Sequence, residues 1–188
     1  MLDRDAALAL WRQYNDDDSL LRHALSVEAA MRRFAFARDE DPDYWGIVGL
    51  LHDIDYQRHP DEHLKHARAM LVPAGYPEAF IRAVESHGWG LCSDVEPIHV
   101  MEKTLYAVDE LTGFVAACAY VRPSRSVLDL ETKSVKKKWK TTAFAAGVNR
   151  DVIEKGAAML GMELDAMIEE TILALRDAAE AVGLKGTV

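Results

Sequence analysis

Four residues carry the chemistry that this sequence offers most directly: His23, the adjacent pair His52-Asp53, and Asp109. His23 stands among Leu20, Leu21, Ala24 and Leu25. The His-Asp pair ends an apolar run from Trp45 to Leu51. Asp109 has Leu105, Gly113 and Ala116 at helical spacings, so its face is small and apolar. Placing imidazoles and carboxylates beside such residues is costly unless each finds a partner or a metal. Two imidazoles and two carboxylates converging from three helices make a mixed N/O site, suited to a divalent ion such as Mn, Fe, Co, Ni or Zn. Such a site keeps positions open for water and substrate, as hydrolytic metal sites require. Taken singly, each residue has a plainer reading: a satisfied core histidine, or an aspartate that caps a helix or pairs with an arginine. The joint pattern is the stronger signal.

The elements that must position these residues read as helices almost throughout. Asp18-Ser19 caps a helix through LLRHALSVEAAMRRFAFA, with apolar residues recurring at three and four. Asp41-Pro42 opens the next, through YWGIVGLLHDID. Pro60 opens DEHLKHARAMLVPAG, Pro77 opens EAFIRAVESHG, and Pro97 opens the long IHVMEKTLYAVDELTGFVAACAYV. A turn, RPSRS, leads to the basic stretch DLETKSVKKKWK, and two C-terminal helices follow, at about 149–161 and 163–182. Alternating strand patterns are absent. The expected fold is all-α, a single-domain helical bundle with core 1–121 and a C-terminal helical extension, 122–188, packed on it.

The chain has 188 residues, enough for one sizeable core. Its net charge of −9 argues against general nucleic-acid binding. No apolar run is long enough for a membrane helix, and the start lacks the pattern of a signal peptide. Cys92 and Cys118 match no zinc spacing and are expected to stay reduced, which points to the cytoplasm. There is no Gly-rich phosphate loop, no Gly-x-Ser-x-Gly turn and no Cys-His nucleophile pair by spacing.

The segments LLRHALSVE, GLLHDIDY and LYAVDELTG, with His23, His52-Asp53 and Asp109 in that order, resemble the H…HD…D pattern of the HD-domain superfamily of metal-dependent phosphohydrolases. The resemblance covers about residues 18–121. The part beyond resembles the tail of a bacterial subgroup of predicted HD hydrolases. Where many relatives read HDIG, this chain reads HDID; the glycine is lost and the ligand pair is kept. The resemblance implies a helical HD fold, a divalent ion (Mn, Fe, Co, Ni, Zn or Mg) on His23, His52, Asp53 and Asp109, and His52-Asp53 at the reacting centre. It also implies that His63 and His87 bind a second ion or contact phosphate, with His66 as the competitor of His63. His59 and His99 read as loop or first-turn residues. Asp55 either orients a ligand imidazole or ends its helix in solvent, Glu85 is an acidic neighbour of the site helices, and Glu110 lies about 100° round the helix from Asp109.

Five of the 22 Lys and Arg residues fall between Lys133 and Lys140. Helical phase puts Lys133, Lys136, Lys137 and Lys140 on one side, either as a solvated face or as a rim contacting substrate phosphate. The expected function is hydrolysis of a small anionic phosphate ester, most plausibly a nucleotide, by a metal-activated water. The rival is a non-catalytic protein that senses a nucleotide or metal with the same site. An apolar stripe at Ile168, Ile172 and Leu175 reads as core or as the seam of a homodimer.

Overall fold

The computed structural model describes residues 3–188, and among these the chain forms nine α-helices, one 3-10 turn and no β-strand. In chain order the helices are α1 (Arg4–Tyr14), α2 (Asp18–Phe36), α3 (Pro42–Leu51), α4 (Ala67–Leu71), α5 (Glu78–Ser86), α6 (Val100–Tyr120), α7 (Thr132–Trp139), α8 (Arg150–Met159) and α9 (Leu164–Asp177). The all-α fold expected from the pattern is the one found. No helix among the described residues is long and apolar enough to cross a membrane.

Side-chain caps set most of the starts. Asp17 accepts from the backbone of Ser19 and Leu20, so the cap of α2 lies one residue before the Asp18-Ser19 pair that the sequence pattern pointed to. Asp41 caps α3, with Pro42 at its first position. The long helix α6 starts beyond Pro97, because His99 and Glu102 form a reciprocal capping box.

Two boundaries differ from expectation and matter for the site. Helix α3 ends at Leu51, so His52 and Asp53 stand in the turn beyond it rather than inside a helix. The helix expected from Pro60 is only a 3-10 turn, Pro60–Glu62, followed by Leu64 at φ +69°. A buried leucine in the left-handed region is costly, and it breaks the chain between His63 and α4.

Helix α2 packs against α3, α6 and α9, while α1 lies on α3 and α8 on α6. The core joins Met31 and Phe34 of α2, Ile47 and Leu50 of α3, and Leu111 and Phe114 of α6. Burying each such side chain contributes about 1.5–3 kcal/mol. Ile168, Ile172 and Leu175 belong to this core, so that stripe is not exposed to serve as a dimer seam.

Small residues bring α3 close to α2. A Cβ on Gly49 would lie 3.0 Å from Met31 Cγ and from the Val27 carbonyl oxygen, and one on Gly46 would collide with the Arg32 side chain. The same crossing holds a charged cluster. Buried Glu28 accepts from Arg4 (2.6 and 2.9 Å) and from Arg32 (3.0 Å), tying α1 to α2. The C-terminal segment closes back on the fold: Val127 N–H donates to the Leu184 carbonyl, and Thr187 N–H to that of Ser124.

Candidate metal centre

The turn after α3 is pinned by the connection between α1 and α2. Buried Asn15, at the end of α1, donates its side-chain amide to the Ile54 carbonyl (2.9 Å). Gln57 accepts the backbone N–H groups of Asp16 and Asp17. These bonds hold His52 and Asp53 against α2 and α6, which carry His23 and Asp109.

The four nitrogen and oxygen atoms that meet there are close. His23 Nε2 lies 2.9 Å from Asp109 Oδ1 and 3.2 Å from His52 Nε2. His52 Nε2 lies 3.3 Å from both Asp53 Oδ2 and Asp109 Oδ1, and His23 Nε2 is 3.8 Å from Asp53 Oδ2. Donors placed around one ion at about 2.1 Å stand roughly 3–3.4 Å apart, so this set suits a cation.

The other oxygen of Asp53 faces a second pair of imidazoles. Asp53 Oδ1 is 3.2 Å from His63 Nε2 and 3.4 Å from His87 Nε2, and the two ring nitrogens are 3.2 Å apart. His87 follows the last residue of α5 as its C-cap. His63 is delivered by the broken segment before α4: the Leu64 side chain seats against Gly88, where a Cβ would fall 2.6 Å from Leu64 Cδ1. Arg68 of α4 then pairs with Glu78 and Glu85 of α5, so the two segments move together.

The tautomers fit metal binding. His52 Nδ1 is 2.7 Å from the Gly49 carbonyl and His87 Nδ1 is 2.7 Å from that of Val84, so each Nδ1 carries the proton and donates it. His63 Nδ1 likewise donates to Asp55 Oδ1 at 2.9 Å. In the neutral ring each of these bonds puts the lone pair on Nε2, the atom that faces the site, the arrangement in which an imidazole ligates once a cation takes the place of the proton. His23, His52 and Asp109 form one group whose donor atoms all lie within 4.8 Å, and His52, Asp53 and His87 form another.

Electrostatics agree with this donor set. Burial opposes the His52 imidazolium, but the carboxylates of Asp53 and Asp109 outweigh it and hold its pKa well above the histidine range. Burial also opposes the charge on Asp53 and Asp109, and the His52 charge reverses this, leaving both acids well below the carboxylate range. Burial lowers His63 too, yet Asp53 and Asp55 bring it up to about 9. Carboxylates held ionised beside nitrogens that seek a positive charge are what a divalent cation satisfies.

Asp55, which the sequence left open, is fully buried; beyond His63 it accepts the His66 backbone N–H. The His66 ring turns to Glu62 and stacks on His59, away from the centre. His99 caps α6, and Glu85 is held by Arg68. Glu110 lines the pocket and accepts the Asn149 N–H; burial, then Asp109, raises its pKa. The lysine run is elsewhere. Lys133 pairs with Glu131 and Lys136 with Asp165 of α9, and neither they nor Lys137 and Lys140 line the pocket.

The pocket over the metal centre holds about 320 Å³. Beside the ligands its walls are Leu20, Tyr56, Leu91, Val148 and Val152, the last two from the α8 end of the chain. Sequence reasoning missed Asn15, Leu64 and Arg68, which position ligands without touching the centre; only folding makes their partners known.

Residues 20–112 match the family model described as HD domain, and that stretch contains His23, His52, Asp53, His63, His87 and Asp109. The match supports assigning this segment to the HD-domain superfamily. Neither the curated proteins nor the solved structures give a match to the chain.

Proposed function

We propose that this protein is a metal-dependent phosphohydrolase acting on a small phosphate ester. The observation that carries the proposal is Asp53, whose two carboxylate oxygens face separate pairs of imidazoles, His23 with His52 and His63 with His87. Asp109 completes the first group. His23, His52, Asp53 and Asp109, with His63 and His87 beside them, would hold divalent ions, and a bound ion would supply a water of lowered pKa and polarise the phosphoryl oxygen. An imidazole-rich set favours Mn, Fe, Co, Ni or Zn over Mg, which prefers oxygen ligands.

The chain's own residues do the rest. Asp53 fixes the spacing of the two groups, and Asp55 and the Gly49 and Val84 carbonyls fix the ring orientations. Leu20, Leu91, Val148 and Val152 shed water from the pocket wall, which strengthens charge interactions inside. That apolar wall and Tyr56 suit the base of a nucleotide as the non-reacting part of the ester. The likeness of 122–188 to the tail of a bacterial subgroup of predicted HD hydrolases fits the same reading. Free Cys92 and Cys118 fit a reducing cytoplasm.

Phosphate release from a panel of nucleotides and simple esters, with the protein stripped by chelator and reloaded with Mn, tests this. The expected result is release that needs the metal. A fully loaded protein that releases no phosphate from any ester overturns hydrolysis and favours a binding role.

A further inference from the structure

Helix α6 carries a glycine at position 113 that packing does not require. In a helix interior glycine is costly relative to alanine, and the buried helical glycines of this chain are held by close contact. A Cβ on Gly156 would stand 2.5 Å from Ala107 Cβ, and Gly46 and Gly49 face the α2–α3 crossing. A Cβ on Gly113 would meet only Val148 Cγ2, at 4.0 Å. What Gly113 does border is space. It lines the metal pocket and also a second pocket of about 450 Å³, and His23 is the other residue the two pockets share.

The second pocket differs in chemistry. The metal pocket has no Lys or Arg on its walls. The second holds Arg22 beside Ser19, Ser26 and Thr112, whose hydroxyls donate to Asp17 and to the Arg22 and Asp109 carbonyls, so Arg22 is the group there with hydrogens to offer. Arg22 is half-buried, and its guanidinium has no hydrogen-bond or ion-pair partner among the described residues. Asp17 senses its charge, but that carboxylate is occupied in capping α2. Gly183, at φ +71°, leaves room for the Arg22 stem: a Cβ there would stand 3.0 Å from Arg22 Cδ. A part-buried arginine with no ion-pair partner has donors free for an anion from outside the chain.

We propose that the two pockets form one elongated site across Gly113, and that its ligand carries a second anionic group, a phosphate or carboxylate, received by Arg22 while the first phosphate lies at the metal centre. This rests on the phosphohydrolase reading and narrows its substrate to esters with a second negative charge at their far end.

The test is calorimetry on the Mn-loaded protein with straight-chain alkanediol bisphosphates of increasing length and the alkyl monophosphates of matching length. The bisphosphate of fitting length should bind about tenfold tighter than its monophosphate. That ratio should fall to about one in Arg22→Gln, stay partly in Arg22→Lys, and fall in Gly113→Leu, whose side chain fills the space beside position 113 that both pockets border. Gly113→Ala should melt no lower than wild type, since its Cβ has room. A protein that binds neither kind of phosphate overturns the hydrolase reading together with this one. Monophosphate binding with no gain from the second charge, or a gain that survives Arg22→Gln, overturns the second pocket alone.

Discussion

The carboxylate of Asp55 uses one oxygen on His63 Nδ1 and the other on the His66 backbone, and it is fully buried. Such outer partners of a ligating histidine typically change metal affinity by about 10–100-fold when removed. Asp55→Ala should therefore weaken the ion at His63 and His87 by about that factor and leave the ion at His23, His52 and Asp109 in place, read by metal titration. Equal weakening of both would place the effect in the fold rather than in His63. The two cysteines make a second residue-scale prediction. Burial pushes the Cys118 thiol up to about 11, so at pH 8 only about one part in a thousand is thiolate, the reactive form. Cys92 is exposed. Iodoacetamide at pH 8 should label Cys92 and spare Cys118 in the folded protein, with the modified peptides read by mass spectrometry. The sequence made His23, His52, Asp53 and Asp109 legible because ionisable groups on apolar surfaces stand out. It left Asp55 undecided because its two partners lie 8 and 11 residues away, across a segment whose path depends on Leu64.

Between elements, Arg68 is the link between the segments that carry His63 and His87. It donates to Glu85 and Glu78 from two edges of its guanidinium, at 2.7–2.9 Å. It is 43% exposed, so its removal should cost about 1 kcal/mol, or roughly 2–4 °C in melting temperature. Arg68→Ala should also lower the affinity of the second ion, while Arg68→Lys recovers charge but not the fork. The α6–α8 contact is tighter. Gly156→Val would force a side chain onto Ala107, and overpacking of this kind costs about 1–3 kcal/mol. Helix periodicity was readable for α2, α3 and α6, and the cap at Asp41 for α3, whereas Asp17 and His99 cap α2 and α6 at positions the pattern did not single out. The end of α3 was not readable, since HDID continues the helical pattern, while the Asn15 and Gln57 bonds that help hold it in a turn reach across to the α1–α2 connection. Helical phase also grouped the lysines of α7 on one side but carried no information on which neighbour that side meets.

At the scale of the whole molecule, one core runs from Trp11 of α1 to Leu184 near the C-terminus. Val148 and Val152 wall the metal pocket, and Val182 and Leu184 wall its neighbour, so the segment beyond the HD-domain match helps to shape both. Deleting residues 178–188 should lower the melting temperature and expose Val127 and Leu130 to a hydrophobic dye, because the bond from Val127 to Leu184 and the apolar cover are lost together. Sequence patterning showed that these C-terminal helices exist; their place against α2 and α6 comes from packing that no local signal encodes. All of this surrounds one carboxylate. The direct measurement is the metal content per chain of the Mn-reconstituted protein and of its Asp53→Ala variant, by elemental analysis beside a circular dichroism spectrum. Two ions per chain in the wild type, and neither retained by a variant with unchanged helical content, is the result predicted for a bridging Asp53. A single ion in the wild type, or full occupancy in the folded variant, would contradict it.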